Sequence, residues 1–137
     1  MCSSDLDGRF GNNPWLLELP DPITKLTWDN AVLMGPKLAE KLGVRDGILE
    51  KKNGGTTMGG TRHRPMVRVS VGGRSLEAAA WVLPGIADET ILLHLGFGRM
   101  HVGKVGEGAG FNAYTLMNSA GPFAPSVVTI EIGRAHV

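Results

Sequence analysis

"PMVRVSVGGRSLEAAAWVL", residues 65–83, decides the fold. Met66, Val67, Val69 and Val71 lie on one side of Gly72-Gly73, and Leu76, Ala78, Ala80 and Val82 on the other. Apolar residues at every second position are the period of a half-buried strand, and a Gly-Gly between two such runs supplies the positive backbone angles of a tight hairpin turn. The stretch predicts an antiparallel hairpin. The segments around it extend the same pattern. "NAVLMG" (30–35) predicts a short buried strand, and "PKLAEKLG" (36–43) a two-turn helix, with Pro36 in the first turn and Gly43 at the left-handed position after the end. "VRDGILEKK" reads as a turn and a strand, "NGGTTMGGTRHR" as a flexible loop, "TILLHLGF" as a buried strand, "GRMHVGKVGEGAG" as a glycine-rich loop and "FNAYTLM" as a final strand. One short helix among five or six short strands predicts a mainly β domain, a small barrel whose closure removes exposed strand edges.

Ahead of these, "GRFGNNPWLLELPDPITKLTWD" (8–29) is rich in Pro, Asn and Asp, and its apolar residues follow neither a strand nor a helix period. It reads as an extended approach segment that pins Trp15 and Trp28 onto the body. The 137 residues suit one domain, and neither an internal repeat nor a domain boundary is visible. Fourteen basic and 13 acidic side chains give a net charge of +1, so no global field draws the protein to nucleic acid or to a membrane surface. No apolar run approaches the roughly 20 residues of a membrane helix. A single cysteine, Cys2, excludes a disulfide framework, a four-thiolate zinc site or an iron-sulfur cluster held by this chain alone.

Little in the chain points to catalysis. Gly106-x-Gly108-x-Gly110 lacks the following helix and later acidic residue of a dinucleotide fingerprint, and no Gly-Lys-Ser/Thr phosphate loop occurs. A backbone nest there, helped by Arg99, His101 or Lys104, could meet a phosphate; the competing reading is a long connection that needs positive φ at Gly103, Gly106, Gly108 and Gly110. His63, His94 and His101 show no metal-ligand spacing, and "TRHRPMVR" reads as a solvated basic loop. Glu18, Asp21 and Asp29 sit among turn-formers, where aspartates cap backbone amides. No catalytic residue and no metal ligand is assigned.

The two ends, residues 1–6 ("MCSSDL") and 131–137 ("EIGRAHV"), resemble translated sequencing-adapter DNA. The natural segment is therefore expected to be residues 7–130, a piece of a longer gene.

Within that segment, "NNPWLLELPDPITKLTWDN" and "LGFGR...AGFNAY", together with the more widely shared "KLGVRDG", resemble the carboxy-terminal part of the molybdopterin-oxidoreductase-like region of Tat-translocated respiratory subunits. The nearest resemblance is to the iron-sulfur subunit of alternative complex III, a quinol:electron-acceptor oxidoreductase. The resemblance implies a double-psi β-barrel of the dimethyl sulfoxide reductase superfamily. It also implies a parent complex on the periplasmic side of the bacterial inner membrane, with the rest of the parent chain and other respiratory subunits as partners, no nucleic acid, and no span of its own. In catalytic relatives this domain closes over a pterin dinucleotide. Carried onto this sequence, the binding candidates are Asn12, Asn13, Trp15, Leu16, Glu18, Asn30, Gly96, Gly98, Arg99 and Asn112. In the alternative complex III subunit the region is understood to lack the cofactor and to act as a scaffold, with iron-sulfur clusters elsewhere in the parent. No cofactor is then expected in this chain. Two alternatives stay open: the molybdopterin guanine dinucleotide domain of a true oxidoreductase, and a free-standing barrel that binds another protein. Residues 47–66, "ILEKKNGGTTMGGTRHRP" with its flanks, depart from the family pattern as either a surface insertion or a local frame error, which puts the first barrel hairpin in question.

Overall fold

The computed structural model describes residues 12–44, 50–52, 55–57, 65–117 and 128–132. Along the chain come α1 (Pro14–Glu18), β1 (Val32–Met34), α2 (Pro36–Leu42), β2 (Glu50–Lys52), β3 (Gly55–Thr57), β4 (Met66–Val71), β5 (Arg74–Val82), β6 (Ile91–Leu93), α3 (Gly103–Gly106), a 3-10 turn η1 (Ala113–Leu116) and β7 (Thr129–Ile132). The domain is mainly β, with short helices at its margins.

The 65–83 hairpin forms as its sequence dictates. Gly72 and Gly73 take φ of 55° and 82°, the two positive angles of a hairpin turn, and Val67 pairs with Ala78 and Val69 with Leu76 across it. This hairpin seeds a five-stranded sheet of order β6-β1-β5-β4-β7. Three of the four strand pairings are antiparallel, but β1 runs parallel to β5, with Val32 opposite Ala80 and Met34 opposite Val82. A parallel pair needs a crossover, and α2 begins the one that leaves β1. Among the described residues the sheet is open, with β6 and β7 as its outer strands, so the expected closure is not seen there.

β1 is buried along its whole length. Val32 and Met34 join the main core with Leu38 and Ala39 of α2, Val67 and Val69 of β4, and Ala78 and Ala80 of β5; Leu33, on the opposite face, is buried as well. Burying each such branched side chain contributes roughly 1.5–3 kcal/mol. Ala78 and Ala80 are small where β5 meets η1, which lets Leu116 reach the core. Pro36 starts α2 and Gly43 ends it at φ 70°, its N–H donating to the Ala39 and Glu40 carbonyls. Lys37 and Lys41 then pair with Asp88 and Glu89 at 2.7 and 2.8 Å, on the turn after β5. Such exposed pairs add little stability.

Several expectations need correction. "FNAYTLM" is not a strand: Asn112 accepts a hydrogen bond from Tyr114 N at 3.1 Å and starts the 3-10 turn instead. "TILLHLGF" yields only the three-residue β6, whose Leu92 is exposed because β6 lies at the sheet edge. The glycine-rich loop contains the single turn α3, where Gly106 is helical rather than left-handed. β2 forms within the segment read as a strand, and its partner β3 comes from the loop read as flexible, whose residues 53–54 and 58–64, His63 included, fall outside the described residues. So do Cys2, the approach segment up to Gly11 and the turn at 45–49. β7 runs through Glu131 and Ile132, both in the tail assigned to adapter sequence, opposite Arg68 and Val67.

Candidate functional site

The family-implied residues converge at one end of the sheet, where α1, the 96–112 connection and the start of η1 meet. The approach segment reaches this end as a tight local fold. Asn13 caps α1 by accepting from Trp15 N at 3.1 Å, with Pro14 in the first turn. Asp21 accepts from Ile23 N (2.9 Å), Thr24 N (2.7 Å) and Thr24 Oγ1 (3.0 Å), the capping role read for it from sequence. Burial pushes its carboxyl up, but these hydrogen bonds outweigh that and hold it below the usual aspartate value. Trp28 N donates to Leu17 O at 2.9 Å, folding the segment back on α1.

Leu17, rather than the tryptophans, pins the segment. Leu17 is buried against Phe97, Val102, Gly106 and Ala109, whereas Trp15 is 83% exposed and Trp28 is exposed too. An apolar residue that caps the inside of α1 serves the docking that was assigned to the aromatics. Leu16 is half-buried and Glu18 is exposed.

Asn30 sits at the centre of this end, 1% exposed. Its Nδ2 donates to the carbonyls of His94 and Phe111, both at 3.0 Å, and its Oδ1 accepts from Phe111 N at 2.8 Å. Both amide hydrogens are therefore engaged by the chain's own backbone. Close packing around it explains two glycines. A Cβ at Gly98 (φ 66°) would overlap Asn112 N and Phe111, and one at Gly110 (φ 64°) would overlap Asn30 Oδ1 and stand 2.8 Å from Phe97 Cβ. Gly98 N also donates to Ala109 O at 2.8 Å. Gly96, buried at φ 100°, turns the chain after β6. His94 supplies its carbonyl here; burial pushes its imidazole below the usual range, and Asp21 pulls it part of the way back.

Outside this knot lies an open cleft of about 400 Å³, lined by Gly98, Arg99, Met100, His101, Glu107, Gly108 and Gly110. Arg99 Nη1 donates to Asn12 Oδ1 at 3.4 Å. Of the ten residues singled out from the sequence, only Gly98 and Arg99 line the cleft; Asn12 is bonded to Arg99, Asn112 packs against Gly98, and Asn30 and Gly96 are buried behind it. Asn13, Trp15, Leu16 and Glu18 belong to α1 and its cap, beside the cleft rather than in it. The sequence reading did not foresee Glu107 and Met100 in the cleft, nor Phe111 as the main-chain partner of Asn30. No local signal marks a backbone partner 81 residues away. Glu107 was legible only as an acidic residue between two glycines. Lys104 is not among the lining residues, so of the three cations proposed for an anion nest, Arg99 and His101 face the cleft with a carboxylate beside them.

Among the described residues, no three His, Cys, Asp or Glu side chains gather to hold a metal ion, and no helix is long and apolar enough to cross a membrane. Set beside known proteins, the chain matches no protein-family model, and no curated protein shows significant similarity to it.

Proposed function

We propose that this chain is the barrel portion of a respiratory oxidoreductase subunit of the alternative complex III type, and that it serves that complex as a structural domain without a cofactor of its own. The resemblance of "NNPWLLELPDPITKLTWDN" and "LGFGR...AGFNAY" supports the family, and a mainly β domain with one parallel strand pair agrees with it. The finer form, a closed double-psi barrel on the periplasmic side of the inner membrane, belongs to the same reading.

The single observation that carries the structural role is Asn30. A residue in the position expected to face a pterin dinucleotide has both amide hydrogens on the backbone of β6's exit and of the 110–112 loop. The donor set does not suit the dinucleotide in other respects as well. Gly98 N is bonded to Ala109 O, and Glu107 brings a negative charge to the cleft where phosphates would need N–H groups and cations. A true molybdopterin oxidoreductase is the second reading, favoured by Arg99 and His101 on an open cleft lined by glycines.

The test is to sequence the gene outward from both ends of the described segment. The proposal expects the frame to continue into Cys-x-x-Cys cluster motifs beyond residue 130 and, far upstream, into a twin-arginine signal. Stops at both ends, with the terminal residues native, would contradict it and leave a free-standing binding module.

A further inference from the structure

The exposed apolar side chains are unevenly spread. Nine large hydrophobic residues are exposed among the described residues, and six of them, Trp15, Leu19, Ile23, Trp28, Met100 and Val105, belong to the approach segment and to the neighbouring 98–107 connection. The two segments are adjacent in space: α1 touches α3, Leu17 packs on Val102 and Gly106, and Arg99 reaches Asn12. Trp15 and Leu19 are one helical turn apart, with Leu19 N bonded to Trp15 O, so they cover the same side of α1. Exposed apolar side chains concentrated on two neighbouring segments of a small domain mark a place of contact.

Charge divides this surface in two. The half built by the approach segment carries Glu18, Asp21 and Asp29 against one cation, Lys25, and is acidic. The other half carries Arg99 and Lys104 against Glu107, with His101 beside them, and is basic. A two-fold axis places each half on the opposite half of a second copy, so apolar meets apolar and acid meets base twice over. We infer that this end of the molecule pairs with a second copy of the same chain, through the acidic Trp15–Trp28 half of one copy and the basic Met100–Val105 half of the other. The pairing concerns the chain as it stands and requires nothing of the electron-transfer reading.

Sedimentation equilibrium of the full chain over roughly 1–200 µM tests it. The expected result is a reversible dimer whose dissociation constant rises at least fivefold between low and high salt, and at least tenfold in Trp15→Ser, as for loss of a buried aromatic anchor. Trp15 is 83% exposed in one copy, so that variant should keep the wild-type circular dichroism and thermal midpoint. Charge reversal gives an independent reading. Glu18→Lys with Asp29→Lys, and separately Lys104→Glu, should each be monomeric alone and should form a mixed dimer at 1:1, because both contacts across the mixed pair again join opposite charges. A chain that stays monomeric throughout overturns the inference. So does a dimer untouched by Trp15→Ser and by the charge reversals, which would place the contact elsewhere, for instance at the edge strand β7.

Discussion

Asn30 and Phe111 hold each other by paired hydrogen bonds, Nδ2 to the Phe111 carbonyl at 3.0 Å and Phe111 N to Oδ1 at 2.8 Å. The asparagine amide thus does for the 110–112 loop what a neighbouring strand would do, and it ties the chain just ahead of β1 to a residue 81 positions later.

Asn30→Ala should destabilise the domain by about 3–5 kcal/mol, because it leaves one N–H and two carbonyls without their partner in a buried place. Asn30→Asp should cost at least as much at neutral pH, since a carboxylate accepts from Phe111 N but cannot donate to either carbonyl. Urea denaturation of the three proteins checks both. An Asn30→Asp variant as stable as wild type would show that the two donated bonds carry little.

The glycines of this end separate into two kinds. Gly98→Ala meets both a positive φ and the backbone of Phe111 and Asn112, and should cost roughly 3–5 kcal/mol or prevent folding. Gly103→Ala meets open space at φ 76°, so only the left-handed penalty of about 1–2 kcal/mol applies. The difference between the two midpoints in one denaturation series isolates the close approach from the backbone angle.

Acid should weaken the domain in two stages. The folded state holds His94 below its ordinary pKa of 6.5, so the unfolded chain binds a proton first, and stability is whole above that value and declines as pH falls below it. Asp21 lies below its ordinary 3.8, so its contribution is present above that value and is lost as pH falls through its folded pKa. His94→Gln should flatten the first stage and Asp21→Asn the second, read from unfolding midpoints between pH 7 and pH 3.

Asp29 should behave in the opposite sense. Partial burial pushes its carboxyl above the usual value, against the pull of Asn30 N, so ionising it opposes folding as pH rises through its folded pKa. Asp29→Asn keeps an acceptor for Asn30 N and should raise stability at pH 7, with the gain fading as pH falls through the folded pKa and gone below 3.8.

What the sequence made legible follows from the range of each signal. Gly72-Gly73 and the Pro36…Gly43 frame act within a few residues, and both the hairpin and α2 appear where they were expected. Asn13-Pro14 and Asn112 are cap signals of the same range; they were passed over because Trp15 and Tyr114 read as strand or contact residues. The parallel pairing of β1 with β5 has no local signature, since Val32 and Ala80 are joined only by the crossover between them. For the site, Asn30, Gly98 and Asn112 stand out only through the resemblance, as candidates for binding a cofactor, and nothing in the sequence marks their hydrogen bonds and close packing with Phe111 and His94. Which atoms of Asn30 are engaged depends on Phe111 and His94, and no spacing in the chain encodes that.

The pterin content of the purified full-length parent tests the central claim most directly, read as the fluorescent product of oxidative extraction and set against protein-bound iron. The account predicts iron without pterin, and the same result after Arg99→Ala. Pterin at one or two equivalents per chain in the unmutated parent, reduced by Arg99→Ala, would contradict it and make the cleft beside Asn30 a cofactor site.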